Sequence, residues 1–321
     1  MDVTAIGELL IDFAAIRTNG EGYPILAANP GGAPGNFLAA LSKYGASTAI
    51  LAKVGEDTFG HLLVDTLEKA GVHTGGIRLD RDVFTTLAFV TFGPDGERSF
   101  TFSRKPGADA MLRFEELDLS LIDEANVFHF GTLSLTNEPA ATATRRAVAY
   151  AKERGKLLTF DPNLRLPLWP EPQQAREAML WGLNQADIVK LSLEEVEFLW
   201  GLGAEEGARK LLEEHGVELV FVTLGAEGCY FRNRNGAGYA RYTGPLKVAD
   251  TTGAGDIFGG AALSRILENG KAPGELSLEE LRAIAAFACT AASLSTQYLG
   301  GISSIQTGET VRNAMKKEDR I

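Results

Sequence analysis

The sequence predicts an α/β fold: a mostly parallel sheet covered by helices on both faces, with short β segments inserted into it. Three observations carry that reading. Between residues 125 and 223 short apolar runs alternate with amphipathic ones, the pattern of strands feeding helices in a parallel sheet. At 321 residues, with 45% hydrophobic and 23% charged, the chain can bury a large core and has no signature of disorder. Short β-rich runs in segments 13–28 and 84–105 interrupt the alternation and suggest a small sheet, discontinuous in sequence, lying over a site. No linker or repeat divides the chain, so residues 1–321 read as a single domain.

Val3 to Asp12 reads as a first buried strand ending in a carboxylate, and in open α/β sheets ligands meet the carboxyl ends of strands. Asp12 fits an ordinary surface-loop aspartate equally well. Weak alternation through Phe13, Ala15, Tyr23 and Ile25 suggests a hairpin outside the main sheet. Gly31, Gly32 and Gly35 then allow a ligand to approach the backbone, and helical spacing of Phe37, Leu38, Leu41 and Tyr44 puts Asn36 in a first helical turn. An asparagine there either caps the helix or offers a polyol both donor and acceptor. Ala49–Val54 reads as a strand, and the turn at 55–60 leads into a helix through Leu62, Leu63, Leu67 and Ala70. Thr85–Phe92 and Arg98–Phe102 flank Gly93-Pro-Asp-Gly96, a hairpin signal. Arg104 follows, either closing a pocket or simply solvated.

Strands are expected at Ala125–Phe130, Leu157–Phe160, Ile188–Leu191 and Leu219–Thr223. Helices are expected at Glu138–Arg154, Gln173–Asn184, Leu193–Leu199 and Ala204–Glu214. Successive strand ends carry Asp161, Asn163 and Arg165, then Lys190 and Glu195, then Thr223 and Gly225, which points them at one crevice.

Composition excludes several functions. A net charge of −11 argues against a nucleic-acid-binding surface. Cys229 and Cys289 give neither a disulfide framework nor metal spacing, which fits a reducing cytoplasm. Asp2, Glu8 and Asp12 interrupt any signal peptide, and Ala283–Ser295 is too short to span a bilayer. A cytoplasmic protein with no membrane partner is expected.

The most informative stretch is Asp250-Thr-Thr-Gly-Ala-Gly-Asp256. An extended, β-like segment from Tyr239 to Val248 precedes it, and helical spacing through Ile257, Phe258, Ala261 and Ala262 follows. Gly253 and Gly255 permit a tight turn that presents backbone N–H groups at a helix N-terminus, where the dipole favours an anion. Asp256 sets a carboxylate beside that anion site, which suits phosphoryl transfer to a hydroxyl. A dinucleotide turn does not fit, because the third position of G-x-G-x-x-G is Phe258 and the next glycine, Gly259, comes one residue late. There is no G-x-x-x-x-G-K-[ST], and His61, His73, His129 and His215 lack zinc or triad spacing.

Gly31-Gly-Ala-Pro-Gly-Asn-Phe with Val54-Gly-Glu-Asp-Thr-Phe-Gly60, and Asp250–Asp256, together resemble the two signatures of the ribokinase family of carbohydrate kinases. Phe102-x-Arg104-x-x-Gly107-Ala-Asp109 and Asp161-Pro-Asn163-Leu-Arg165-x-x-Leu-Trp169 look most like its fructokinase branch. The resemblance implies a ribokinase-like sheet with a small β-sheet lid, and transfer of the ATP γ-phosphoryl group to a primary hydroxyl of a sugar, D-fructose foremost. It implies Asp256 as general base, with Gly253, Ala254, Gly255 and the Asp256 N–H as the anion hole. Asp12, Gly31, Gly32 and Asn36 match sugar-holding positions, with Arg104, Asp161 and Arg165 as further contacts. Lys190, Thr223, Gly225 and Gly228 match nucleotide positions, and Ala288, Cys289 and the segment near Gly255 an adenine pocket. Magnesium is implied through water on Glu195, in a motif where Ser192 replaces the family's asparagine. Asp250, Thr252, Gly300 and Ser304 resemble a monovalent-cation site, for potassium.

Two other functions share these features. A 2-keto-3-deoxygluconate kinase has the same fold but needs an extra cation near Arg104 and Arg165, which Lys105 offers. A silent sugar sensor is disfavoured by the intact Gly253, Gly255 and Asp256. The free edges of a small sheet also make a homodimer through the lid plausible.

Overall fold

The computed structural model describes residues 1–92 and 98–318. Its first strands are β1 (Val3–Ile6), β2 (Leu10–Thr18), β3 (Pro24–Gly31), β4 (Thr48–Gly55), β5 (Val72–His73), β6 (Ile77–Asp80), β7 (Thr86–Phe92) and β8 (Arg98–Ser103). Then come β9 (Val127–Gly131), β10 (Leu157–Asp161), β11 (Ile188–Ser192), β12 (Leu219–Thr223), β13 (Cys229–Asn233) and β14 (Gly236–Ala240). The helices are α1 (Ala33–Lys43), α2 (Thr58–Lys69), α3 (Ser120–Asp123), α4 (Ala140–Glu153), α5 (Pro172–Leu183), α6 (Leu193–Trp200), α7 (Ala204–His215), α8 (Ala254–Asn269), α9 (Leu278–Ser295) and α10 (Gly308–Glu318).

The large sheet runs β14-β13-β12-β11-β10-β9-β1-β4-β5, with β6 also paired to β4. All its pairings are parallel except β12 with β13 and β13 with β14. Alternate side chains enter two separate cores, as a sheet buried on both faces requires. In β12, Leu219 and Phe221 pack with α1, α8 and α9, while Val220 and Val222 pack with α4, α5, α6 and α7. A second sheet has the order β3-β2-β7-β8, from the inserted segments expected to form one. The Gly93–Gly96 turn lies outside the described residues.

Two sequence expectations are corrected. Val3–Asp12 is not one strand: β1 belongs to the large sheet and β2 to the second. The break falls at Gly7-Glu8, where Gly7 N–H still donates to Leu51 O while Glu8 turns to accept from Ala33 N. Asp12 therefore sits in β2, opposite Asn29 and Ala88, and not at the end of β1. The Tyr239–Val248 segment is mostly irregular, since β14 ends at Ala240 and Gly244-Pro245 removes a ladder donor. Sequence reading also missed the β13–β14 hairpin, and it saw the α9 run without assigning a helix.

Helix α8 lies directly on α1. A Cβ at Gly260 would stand 2.5 Å from the carbonyl oxygen of Phe37 and 2.8 Å from Ala40 Cβ, so the helices meet backbone to backbone. No helix among the described residues is long and apolar enough to cross a membrane. Gly260→Ala is expected to cost about 1–3 kcal/mol by overpacking. Equilibrium denaturation would read this as a lower midpoint, and an unchanged midpoint would mean the contact is not tight.

Candidate active site

A cavity of about 630 Å³ opens where the second sheet meets the carboxyl edge of the large one. Its walls include Glu8, Asp12, Asn36, Arg165, Lys190 and Asp256, with Gly32, Gly253 and Gly255. Each arrives by a different element. Asp12 rides on β2, Asn36 on the first turn of α1, Lys190 on β11, and Asp256 on the first turn of α8.

Gly253 is the N-cap of α8 and takes φ 75°, which non-glycine residues seldom tolerate. No side chain caps this helix, so its first N–H groups face the cavity with the positive end of the dipole. Ala254 is different. Its N–H donates to Thr251 O at 3.3 Å and the residue is not a cavity wall, which leaves Gly253, Gly255 and Asp256 as the available anion donors.

Asn36 does not cap α1. Its Nδ2 donates to Asp256 Oδ2 at 2.8 Å, and its buried Oδ1 has no protein partner. Burial pushes the Asp256 carboxyl up to about 6, with the Asp161 charge adding to the rise and Lys190, Asn36 and Arg165 opposing it. Burial likewise pushes Asp12 up to about 7 against the pull of Arg165. Both values lie well above the ordinary aspartate range, the tuning of a carboxylate that exchanges a proton near neutrality.

Beneath the cavity is a layer of paired charge. Lys190 Nζ lies 2.7 Å from Asp161 Oδ2. Burial alone would lower its pKa, but Asp161, Glu195 and Asp256 outweigh that and raise it, so the ammonium stays charged. Asp161 therefore holds Lys190 and does not itself line the cavity. Asn163, at φ 47°, does, and its N–H donates to Asp161 Oδ1 at 3.2 Å. Below this, His129 bonds Thr159 and stacks on Phe37, and burial lowers it to about 4, which keeps it neutral.

Several expected contacts lie elsewhere. Arg104 is heavily engaged: Nε donates to Asp109, Nη1 to Thr136 and Asn137 and Nη2 to the Leu133 carbonyl, while Nη2 also pairs with Asp109 Oδ2 at 2.7 Å. Arg104 is a buried clamp and not a wall of this cavity. Gly31 pairs with Leu10 at the end of β3, just behind the wall. Thr223, Gly225 and Gly228 form the turn after β12, two strands from Asp161 along the same sheet edge. Ala288 and Cys289 are buried in α9, where Cys289 Sγ meets Cys229 Sγ at 3.6 Å and Ala240 O at 3.3 Å, so neither lines the cavity.

Glu195 accepts from Leu164 N at 2.7 Å and Ser192 N at 2.8 Å, while Ser192 Oγ accepts from Glu195 N. Ser192 is thus the N-cap of α6, a task its short hydroxyl performs well. No group of three or more His, Cys, Asp or Glu that could cage a metal occurs among the described residues. A hard cation arriving on a substrate's phosphates and keeping its waters fits this surround. Asp250 accepts from Thr252 N and Oγ1 and from Gly300 N, and Ser304 Oγ donates to Gly301 O, so the expected cation residues do form one loop pair.

Glu8 was not singled out by sequence, although an acidic residue inside the apolar run 3–11 was the available signal. It is buried, lines the cavity, and accepts from Ala33 N at 3.1 Å.

An anion-binding helix start, a buried carboxylate tuned near neutrality and a polar cavity on a doubly covered sheet define a phosphotransferase with an alcohol as acceptor. The model of the pfkB family of carbohydrate kinases matches residues 1–308, and the chain belongs to that family. It is similar to fructokinase-1 of Zea mays, 41% identical over 319 residues that cover 98% of each chain. It is also similar in structure to a fructokinase with bound ATP from Xylella fastidiosa, with TM-score 0.89, 29% identity and 99% of each chain covered. A fructokinase from Vibrio cholerae O395 with fructose, ADP and calcium ion gives TM-score 0.84 at 30% identity over 98% of each chain.

Two tests follow from this geometry. Arg104→Met strands the Asp109 carboxylate and is expected to cost about 3–5 kcal/mol, most of it recovered on adding Asp109→Leu. Equal loss in both variants would show that the pair is not the source. Asn36→Ala removes a donor that lowers the Asp256 pKa, so the acid limb of a kcat/KM profile, near pH 6 in the parent, should move to higher pH. An unmoved limb would mean that Asp256 is not the titrating base.

Proposed function

We propose that this chain is an ATP-dependent sugar kinase that phosphorylates the primary hydroxyl of D-fructose to give fructose 6-phosphate. The observation that carries the reading is Asp256, joined to Asn36 at 2.8 Å on the first turn of a helix whose N–H groups face the same cavity. Asp256 accepts the hydroxyl proton as the sugar oxygen bonds to the γ-phosphorus, and the bond from phosphorus to the ADP oxygen breaks. The N–H groups of Gly253, Gly255 and Asp256 stabilise the charge on the transferred group, a preorganised dipole needing no mobile cation. Asp12, Gly32, Asn36 and Arg165 hold the sugar, and the turn of Thr223, Gly225 and Gly228 holds the nucleotide. The second sheet acts as a lid that excludes water.

Magnesium carried on the nucleotide would neutralise phosphate charge, and Glu195, held by two backbone N–H groups behind the cavity wall, would reach it only through water. Potassium is assigned to the loop pair of Asp250, Thr252, Gly300 and Ser304. The outer edges of β3 and β8 offer a route to a homodimer.

The cavity favours a neutral acceptor over a ketodeoxy acid. Glu8, Asp12 and Asp256 bring three carboxylates to its walls against two cations, Arg165 and Lys190, and Lys190 is committed to Asp161. ATP consumption across fructose, ribose, adenosine and 2-keto-3-deoxygluconate should rise with fructose first, and no fructose-dependent signal would sink the substrate assignment. Asp256→Asn should lower kcat by about 100- to 10,000-fold while sugar and ATP still bind. Near-normal turnover would remove the base assignment.

A further inference from the structure

Glu8 sits where the chain leaves the large sheet for the second one, and only 3% of it is exposed. It borders both the central cavity and the narrow cleft below it, which reaches Asn163 and Asp256. Burial first, and then the charge of Asp109, pushes its carboxyl up to about 7. The donors that face it are the N–H of Ala33 and its own N–H. A carboxylate has about four lone-pair sites, so these two donors leave acceptor capacity on a residue that lines the cavity. Glu195 makes the contrast: its two oxygens are bound by separate backbone N–H groups, and it is not a wall of this cavity.

We propose that Glu8 is a sugar-binding residue, whose carboxylate accepts a hydrogen bond from an acceptor hydroxyl at the inner end of the cavity. The inference rests on the sugar-kinase reading above. The same side chain holds Ala33, the first residue of α1, and so fixes the turn that carries Asn36 towards Asp256. Sugar recognition and orientation of the base thus meet in one carboxylate. Charge-assisted bonds are about twice as strong as neutral ones, so the ionised form discriminates for a hydroxyl donor and against an acceptor anion.

Glu8→Gln separates this role from simple helix capping, because the amide oxygen still accepts from Ala33 N–H while the charge is lost. The fructose KM should rise about tenfold with the ATP KM and thermal midpoint unchanged. Across a series of monodeoxy fructose analogues, one should bind equally well to the parent and to Glu8→Gln: the analogue lacking the hydroxyl that Glu8 receives. An unchanged fructose KM would overturn the proposal. So would a uniform penalty on every analogue together with a lowered midpoint, which marks a structural cap only. The parent enzyme supplies the control for the underlying reading. If it turns over another sugar of the panel and not fructose, the substrate assignment falls and the same comparison is made with that sugar. If it turns over none, both readings fall.

Discussion

The site depends on the crossing of α1 and α8. Asn36 and Asp256 are 220 residues apart in sequence and 2.8 Å apart in space, a distance set by the seating of Gly260 on the Phe37 carbonyl. Larger residues at that crossing would move one helix away from the other and separate acceptor site from anion site. The apolar residues around it, Phe37, Leu41, Ile257 and Ala261, belong to one core, so the spacing is held by dense packing and not by the hydrogen bond alone.

The charges beneath the cavity follow a second constraint. Buried carboxylates are costly unless paired or bonded, and here each has a distinct solution. Asp161 takes Lys190, Glu195 takes two backbone N–H groups, and Asp109 takes Arg104 and Thr86. Asp12 and Asp256 are left with weaker compensation and correspondingly raised proton affinity. Burial thus outweighs the helix dipole at Asp256, which on its own would favour the ionised carboxylate. A carboxylate at about 6 is still mostly charged at neutral pH, yet it is a stronger proton acceptor than an ordinary aspartate.

How much of this was legible in the sequence depended on range. Local periodicity located β9 to β12 and α4 to α7 to within a few residues, because each is an apolar run with clear polar boundaries. The Gly253–Asp256 turn was legible because a glycine at φ 75° followed by a helix leaves a chemical signature. Longer-range facts were hidden. The passage of the chain between sheets at Gly7-Glu8 leaves apolar periodicity unbroken, so it was read as one strand and its buried glutamate was passed over. The destination of Arg104 depends on Asp109, Thr136 and Asn137 converging, which no spacing encodes. Ala288 and Cys289 are ambiguous for a related reason: a small-residue helix fits a ligand wall or a tight core equally well.

The position of the second sheet over the cavity is fixed at its roots by polar contacts. Where β1 gives way to β2, Glu8 binds Ala33 N. Where the chain enters β7, Asp57 caps α2 and also accepts from Thr85 N and Oγ1, while Gly55 N–H donates to Thr85 Oγ1. Where it leaves β8, Arg104 binds Asp109, which in turn accepts from Thr86. Apolar contact alone, such as Phe13 on Phe59, would let a small sheet slide, because dispersion is non-directional. Hydrogen bonds are directional, so sets of them at three crossings fix the sheet's orientation as well as its distance. Asp12 and Phe102, projecting from that sheet into the cavity, inherit their placement from these clamps. The buried charges at the sheet's base are therefore part of how the acceptor site is aimed.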